Sequence, residues 1–199
     1  MSNYYGKFYG YTGLFPILDN NESHNHLTEL RSLLSTLPDS EGSLFSRSGL
    51  VHGARFFILD DVVYNGHPTP EEHLKNAYLV LSMTFDGELE QLAQRISALG
   101  ESDWDKVMAH CHSVSDTKRP HEVVLEQLRK GQVTTSFLYV DADKNLESTL
   151  KSLLLQRKVA DLIANAQGAS TIERKTLVKE LAEQIKQCEI PTPGGFISN

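Results

Sequence analysis

The chain has 199 residues, a net charge of −7 and a hydrophobic fraction of 40%, which is typical of one globular domain with a sizeable core. Lysine and arginine are scattered along it, whereas proteins that bind nucleic acid concentrate them on one face, so we expect no nucleic-acid partner. The first residues lack the basic start and apolar stretch of a secretion signal, and no apolar run approaches the ~20 residues that span a bilayer. We therefore expect a cytoplasmic protein with no membrane partner, in which Cys111 and Cys188 are free thiols.

The N-terminal residues 1–12 are rich in tyrosine and glycine and have no period, so they are predicted to be a flexible tail or an arm that packs on a partner. A short apolar strand is expected at 13–18. A helix should follow at 26–37, because its leucines recur at helical spacing. The glycine- and serine-rich residues 39–53 are predicted to form a long loop.

Two apolar runs in the middle of the chain, 54–59 and 77–85, predict a second and a third strand. The second of these runs leads into a predicted helix at 88–99, for which Asp86 is well placed as the N-cap. Residues 133–140 are rich in β-branched and aromatic side chains, which predicts a fourth strand.

The remaining segments are predicted to be largely helical. Short helices are expected at 103–110 and 122–129, and a long helix at 146–166. A capping box formed by Ser170 and Glu173 predicts the start of a last helix, which runs to about residue 187.

The order of these elements predicts an α+β fold, a ferredoxin-like βαββαβ sandwich with two additional C-terminal helices. We divide the chain into an N-terminal arm at 1–12, a ferredoxin-like domain at 13–166, and a C-terminal helix and tail at 167–199. Helices cover one sheet face in such a fold. A partner subunit commonly covers the other face where it is apolar, so we expect a homodimer.

Three segments carry a family resemblance: ARFFILDD at 54–61, YLVLSMTFDGELEQL at 78–92 and WDKVMAHC at 104–111. They resemble a bacterial family of ferredoxin-like domains of the dimeric α/β-barrel type, which is associated with haem-peroxidase-like proteins. The resemblance covers roughly residues 50–165, and its motifs are structural rather than catalytic. It implies a dimeric α+β fold and a haem or transition-metal cofactor.

The sequence His110-Cys111-His112 is the sharpest local cluster among the eight histidines. On a strand, alternate residues share a face, so His110 and His112 would reach one metal ion; on a helix their side chains would point apart. A cofactor is the second hypothesis, with His110 as its axial ligand and Tyr139 as a hydrogen-bond donor in the cavity. A histidine bonded to the backbone, and a tyrosine that fills the core, are the structural alternatives.

A second metal hypothesis involves the polar run before the first helix, where Glu22 would join His24 and His26 as a third ligand. A solvated loop is its alternative. The acidic residues at 141–145 do not predict a calcium loop, because Leu146 stands where the motif requires glycine.

His52, just before the second strand, and Arg55, within it, are predicted to line a pocket between sheet and helices that also contains His110. Together with His110 they are the candidate catalytic residues. An arginine within a strand requires a carboxylate partner, for which Asp60 or Asp61 is available, or else a ligand.

The sequence contains no nucleophile elbow, no dinucleotide-binding glycine motif and no P-loop. We therefore expect a small-molecule-binding α+β protein, and specifically a metal- or haem-dependent oxidoreductase of the dimeric α/β-barrel type. The alternative is a non-enzymatic binding or assembly module that acts through its N-terminal arm and its C-terminal helices.

Overall fold

The computed structural model describes residues 3–21, 23–64, 66–68, 70–99, 103–112, 119–140, 144–187 and 193. They form an α+β fold in which a four-stranded antiparallel sheet packs against helices. The strands are β1 (Tyr4–Tyr5), β2 (Phe8–Pro16), β3 (Val51–Leu59) and β4 (Tyr78–Asp86). The helices are α1 (His26–Thr36), α2 (Leu44–Ser48), α3 (Leu89–Ser97), α4 (Asp103–Met108), α5 (Pro120–Gly131), α6 (Leu146–Asn165) and α7 (Thr171–Gln187). No helix in these ranges is long and apolar enough to cross a membrane.

The sheet has the strand order β1-β2-β4-β3. Strand β4 lies in its interior and pairs with β2 along its whole length, from Asp86 opposite Phe8 to Tyr78 opposite Pro16. Strand β3 pairs with the other side of β4 and forms one edge of the sheet. The side chains of β3 that face away from the core, such as Phe57, are therefore partly exposed.

The core lies between the sheet and the helices, and alternate residues of β4 supply its centre: Leu79, Leu81, Met83 and Phe85 are all buried. Helix α3 covers them with the apolar face of an amphipathic helix, made of Leu89, Leu92, Ala93 and Ile96. This burial of apolar surface is the main favourable term in folding.

The single tryptophan, Trp104, is fully buried where α4, α5 and β2 meet. Its ring lies edge-on to Phe15 at a centroid distance of 6.3 Å. Its indole Nε1–H donates a hydrogen bond of 2.7 Å to Gln127 Oε1, which satisfies its polar atom. Nearby, the Tyr11 hydroxyl donates to the backbone oxygen of Leu128 at 2.7 Å. These bonds fix α4 and α5 on the sheet.

The structure confirms the α+β class and the strands predicted at 54–59 and 77–85, within a few residues at their ends. The first predicted strand, 13–18, begins earlier, at Phe8, because Phe8, Tyr9 and Tyr11 are buried in the sheet. Residues 8–12 of the predicted arm are therefore part of β2. The two tyrosines before them form β1, which pairs with β2 in the same chain.

The predicted fourth strand at 133–140 is wrong. Only Gln132 forms a bridge with Gly13, and the Val133 N–H donates to Thr12 at 2.8 Å. Strand β1 occupies the rest of that sheet edge, and the side chain of Asn3 accepts from the Thr135 N–H at 3.2 Å. The β-branched composition of the segment does not form a strand, because the edge is already paired.

Two local predictions also require correction. The predicted loop at 39–53 contains the short helix α2, capped by the Ser43 side chain, which accepts from the Ser46 N–H. Asp86 is not the N-cap of α3; that cap is Glu88, which forms a capping box with Gln91. Cys111 is a free buried cysteine, whereas Cys188 lies outside the described residues.

Candidate functional site

An open groove of about 470 Å³ lies beside the edge strand β3, and we call it the β3 groove. It lies between β3 and the connection from α1 to α2. Its walls are largely apolar and include Leu34, Leu37, Phe45, Val51, Ala54 and Phe56. Phe45 and Phe56 lie 5.5 Å apart between ring centroids and stabilise this wall.

His52 lines the β3 groove at a β-bulge, since Val51 pairs with Phe85 and Gly53 with Thr84. A bulge redirects the side chain of the extra residue. Here the Nε2 atom of His52 lies 2.9 Å from Asp86 Oδ1.

Contacts with neighbouring residues also fix the orientation of the His52 imidazole. Its ring packs edge-on against Phe8 at 5.0 Å between centroids, and its partner Asp86 accepts a second hydrogen bond, of 2.7 Å, from the Leu146 N–H. Because an ionised carboxylate only accepts, Nε2 of neutral His52 carries the proton and Nδ1 keeps a lone pair. This arrangement can supply a general base.

Arg55 lines the same groove, three residues along β3. The prediction that Asp60 or Asp61 pairs with it is wrong: Asp60 binds Arg31, and Asp61 lies 2.7 Å from His73. The guanidinium carbon of Arg55 instead lies 5.5 Å from the ring centroid of Phe57. The structure shows no salt bridge between Arg55 and any acidic side chain of the described ranges.

Two hydroxyl side chains, Ser43 and Ser46, stand on the opposite wall of the β3 groove. The Ser46 hydroxyl donates a hydrogen bond to the backbone oxygen of Pro193, which also lines the groove. Ser46 is not hydrogen-bonded to His52 in the described structure, so these residues do not form a nucleophile–base pair.

A second cluster of reactive side chains lies between the start of α1 and the segment that follows α4. It consists of His26, Glu29 and His110, and we call it the histidine cluster. The Nδ1 atoms of His26 and His110 are 3.2 Å apart. Glu29 Oε2 lies 3.9 Å from His110 Nδ1, and one ligand atom from each of the three residues lies within 4.8 Å of the others.

The start of α1 fixes Glu29. The Asn25 side chain caps the helix by accepting from the Thr28 N–H at 3.0 Å, and the Asn25 N–H donates to Glu29 Oε1 at 3.2 Å. The other oxygen, Oε2, remains for the histidines, and His24 Nδ1 lies 3.4 Å from it.

His110 is fixed by a short extension of the sheet. Helix α4 ends at Met108, and His110 accepts from the Leu18 N–H at 2.9 Å while His112 donates to Pro16 at 2.8 Å. His110 therefore lies in a turn just after α4, where its own N–H donates to the backbone oxygen of Val107 at 3.2 Å. Partial burial, reinforced by the neighbouring His26, lowers the pKa of His110, and Glu29 opposes this shift. Its imidazole is thus held in the neutral form that binds metal ions.

The structure separates the other predicted ligands from this cluster. His112 is exposed and lines a separate small crevice. Tyr139 is 62% exposed and packs edge-on against Tyr5 at 5.5 Å. His52 and Arg55 share the β3 groove, but His110 lies apart from it. Glu22, the third ligand proposed for His24 and His26, lies outside the described residues.

Sequence reasoning missed two contacts of the histidine cluster. Glu29 stands three residues after His26 on a predicted helix, and this i, i+3 spacing was a usable signal because such residues share a face. The approach of His26 to His110 joins residues 84 positions apart and had no local signal.

Comparison with protein-family models, with curated protein sequences and with solved structures finds no match to this chain. Its function is therefore inferred from the geometry of the β3 groove and of the histidine cluster.

Proposed function

We propose that the protein binds a small organic anion with an apolar body in the β3 groove. One observation carries the proposal: His52 and Arg55 line the same cavity, and Arg55 has no acidic partner among the described residues. The volume of about 470 Å³ lies within the range of about 300–1,000 Å³ that is usual for small-molecule sites.

The two parts of the ligand follow from the two parts of the groove. Leu34, Leu37, Phe45 and Phe56 offer an apolar wall for a hydrocarbon or aromatic body. Arg55 is exposed and packs over Phe57, so at the open rim of the groove its guanidinium offers a planar fork of donors that matches a carboxylate.

His52 extends the proposal to chemistry. Its Nδ1 lone pair is positioned by Asp86 and accepts a proton from a ligand bound beside it. This would make the β3 groove a site of acid–base chemistry. The oxidoreductase activity, the haem cofactor and the relationship to haem-peroxidase-like proteins stay predictions.

We further propose that the scaffold follows a ferredoxin-like plan. Strand β2, a helical crossover, β3, β4 and α3 reproduce the first five elements of that plan, in the lateral order β2-β4-β3. Residues 132 and 133 contact β2 at the edge where the sixth element would lie.

Calorimetric titration with decanoate and with decan-1-ol tests the binding proposal, because the two share a chain and differ in charge. We expect saturable binding of decanoate and weaker binding of the alcohol. A hydrogen bond to a charged group contributes about 1.5–3 kcal/mol, so Arg55→Gln should weaken decanoate binding by roughly 10–100-fold.

The matched control is Arg95→Gln, which removes an exposed arginine on α3, away from the groove. It should leave decanoate affinity unchanged. Equal affinity for the acid and the alcohol, or equal losses in the two variants, would contradict the proposal.

A second candidate function, assembly, is favoured by the C-terminal helices. Within the described residues, only Leu146 and Leu150 of α6 are buried. Leu155, Val159 and Ile163 are 46%, 37% and 59% exposed, and their spacing of four residues places them on one stripe. We propose that a second copy of the chain covers this stripe, which would give the expected homodimer.

Light scattering after size exclusion tests this second function against a monomer mass of 22.3 kDa. The wild type should form a dimer, and the exposed double variant Leu155→Glu/Ile163→Glu should be monomeric. The double variant Gln156→Glu/Ala164→Glu, which adds the same charges on the adjacent stripe, should remain dimeric. A monomeric wild type at all concentrations would exclude this function.

A further inference from the structure

The geometry of the histidine cluster points to a binding site for a divalent first-row transition-metal ion, with His26, Glu29 and His110 as its ligands. None of these residues lines the β3 groove. The inference is therefore independent of the function proposed for that groove.

The separation of the two imidazoles is the first argument. Zinc–nitrogen bonds of 2.0–2.1 Å in a tetrahedral site place two ligand nitrogens ~3.3 Å apart. The Nδ1 atoms of His26 and His110 are 3.2 Å apart. In the metal-free protein, one ring donates its N–H to the other at this distance. An ion replaces that proton without requiring the two nitrogens to separate.

The carboxylate of Glu29 supplies the third ligand and the negative charge. Its Oε1 atom is engaged by the Asn25 N–H, so Oε2 is the oxygen that remains, 3.9 Å from His110 Nδ1. A shortening of ~0.6 Å brings Oε2 to the distance from His110 Nδ1 that is usual for two ligands of one ion. The three ligand atoms, which lie within 4.8 Å of one another, draw together around that ion. The exposed fraction of the Glu29 side chain, 41%, leaves it room for this movement.

His24 acts as a positioning residue. Its Nδ1 atom lies 3.4 Å from the same Oε2 of Glu29, and its ring stacks on His26 at 5.5 Å between centroids. Ligands of metal sites are commonly oriented by an outer partner of this kind.

The charges near the cluster act in opposite directions on a bound cation. The positive end of α1 opposes it, and the negative charge of Glu29 offsets this opposition. We therefore expect an exchangeable site rather than a permanent structural one.

The donor set defines the ion class. Two imidazoles and one carboxylate suit zinc and iron(II), whereas magnesium and calcium prefer sites made of oxygen ligands only. Three protein ligands leave at least one position for water or a substrate, as in catalytic rather than structural zinc sites.

Calorimetric titration of untagged, EDTA-treated protein with zinc chloride tests the inference. We expect one ion per chain, and no competition from a large excess of magnesium. His26→Ala, His110→Ala and Glu29→Gln should each weaken binding by at least the ~10–100-fold that loss of an outer partner costs. Glu29→Gln retains an oxygen that accepts from the Asn25 N–H, so the helix cap is preserved.

The positioning role of His24 has its own readout. His24→Ala should weaken zinc binding by ~10-fold, without changing the stoichiometry of one ion. The cobalt(II) complexes of the wild type and this variant should show the same visible spectrum if the ligands are unchanged. A different spectrum would make His24 a ligand and would overturn its positioning role.

His112→Ala and His73→Ala are the matched controls. His112 is an exposed histidine two residues beyond His110, and His73 is an exposed histidine that contacts the carboxylate of Asp61. Both should bind zinc like the wild type. Loss of binding in either control, or undiminished binding in His26→Ala and His110→Ala, would overturn the assignment.

Nuclear magnetic resonance of the wild type gives a measurement that does not depend on a variant's folding. Zinc should shift the Nδ1 signals of two imidazoles, those of His26 and His110. The absence of any saturable zinc-dependent change would overturn the inference. Titration with iron(II) under anaerobic conditions then distinguishes which of the two ions binds more tightly.

Discussion

The carboxylate of Asp86 accepts from the imidazole of His52 through one oxygen, at 2.9 Å, and from the Leu146 N–H through the other, at 2.7 Å. It thereby connects the bulge of β3, the end of β4 and the first turn of α6. The first N–H groups of a helix have no partner within the helix, and Asp86 satisfies one of them. The sequence predicted Asp86 at a helix start, and it does serve one, that of a helix 60 residues further along the chain.

Asp86→Asn should destabilise the protein, because an amide accepts more weakly than a carboxylate and its NH₂ group faces a donor. Hydrogen bonds to charged groups contribute about 1.5–3 kcal/mol, so we expect a loss of about that size in urea unfolding. Asp161→Asn, an exposed position on α6, is the control and should change stability by less than about 0.5 kcal/mol. Equal stability of the two variants would contradict this role of Asp86.

Gly131→Ala should destabilise the protein through a steric clash. A Cβ atom at this position would lie 2.4 Å from the ring of Phe15, which is buried in the core. Overpacking of this kind costs about 1–3 kcal/mol, against a gain of up to about 1 kcal/mol that alanine gives in a helix.

Gly53→Ala is the matched control for that clash, since a Cβ atom there meets nothing within 4 Å. Both variants are measured by thermal and urea unfolding. A stabilised Gly131→Ala protein would mean that α5 moves away from Phe15 at little cost.

Cys111 should resist thiol reagents in the folded protein. Burial raises the pKa of its thiol to about 12, so at pH 8 only ~10⁻⁴ of it is thiolate. In a Cys188→Ser background, Ellman's reagent should detect no thiol in the native protein and one thiol in denaturant. Rapid native labelling would show that the segment around Cys111 opens readily.

The stability of the metal-free protein should fall as the pH decreases below about 6.5. The pKa of His110 is lowered in the folded state by burial and by His26, so the unfolded chain binds a proton more readily there. The contribution of the neutral imidazole is complete above the unfolded pKa and is lost as the pH falls through the folded one.

Urea unfolding in EDTA at several pH values between 7.5 and 5 measures this effect, for the wild type and His110→Asn. The variant should show the shallower dependence. Identical slopes for the two proteins would mean that His110 does not contribute to the pH dependence of stability.

The parts of the fold that could be predicted are those in which local pattern and burial agree. The apolar run of β4 and the amphipathic face of α3 are examples. A buried strand appears in the sequence as a continuous apolar run, and an amphipathic helix as apolar residues at helical spacing. Residues 133–140 have the composition of a strand, but β1 already pairs with the edge of β2 that they would need. The composition of a segment does not show which segment will occupy such an edge.

The candidate site was predictable only in its components. His52, Arg55 and His110 were all expected to be functional, yet the structure divides them between two places. A bulge positions His52. Two strands and several helices separate His26 from His110 along the chain, and the fold brings these two residues together. Neither arrangement follows from the spacing of histidines along the chain.

The burial of Trp104 gives this chain an intrinsic optical reporter. Its indole is the only one, it is enclosed by α4, α5 and β2, and α4 leads directly to His110. Its emission therefore responds to the packing at the junction that carries the histidine cluster. Opening of this junction can be followed separately from the unfolding of α6 and α7, which contain no tryptophan.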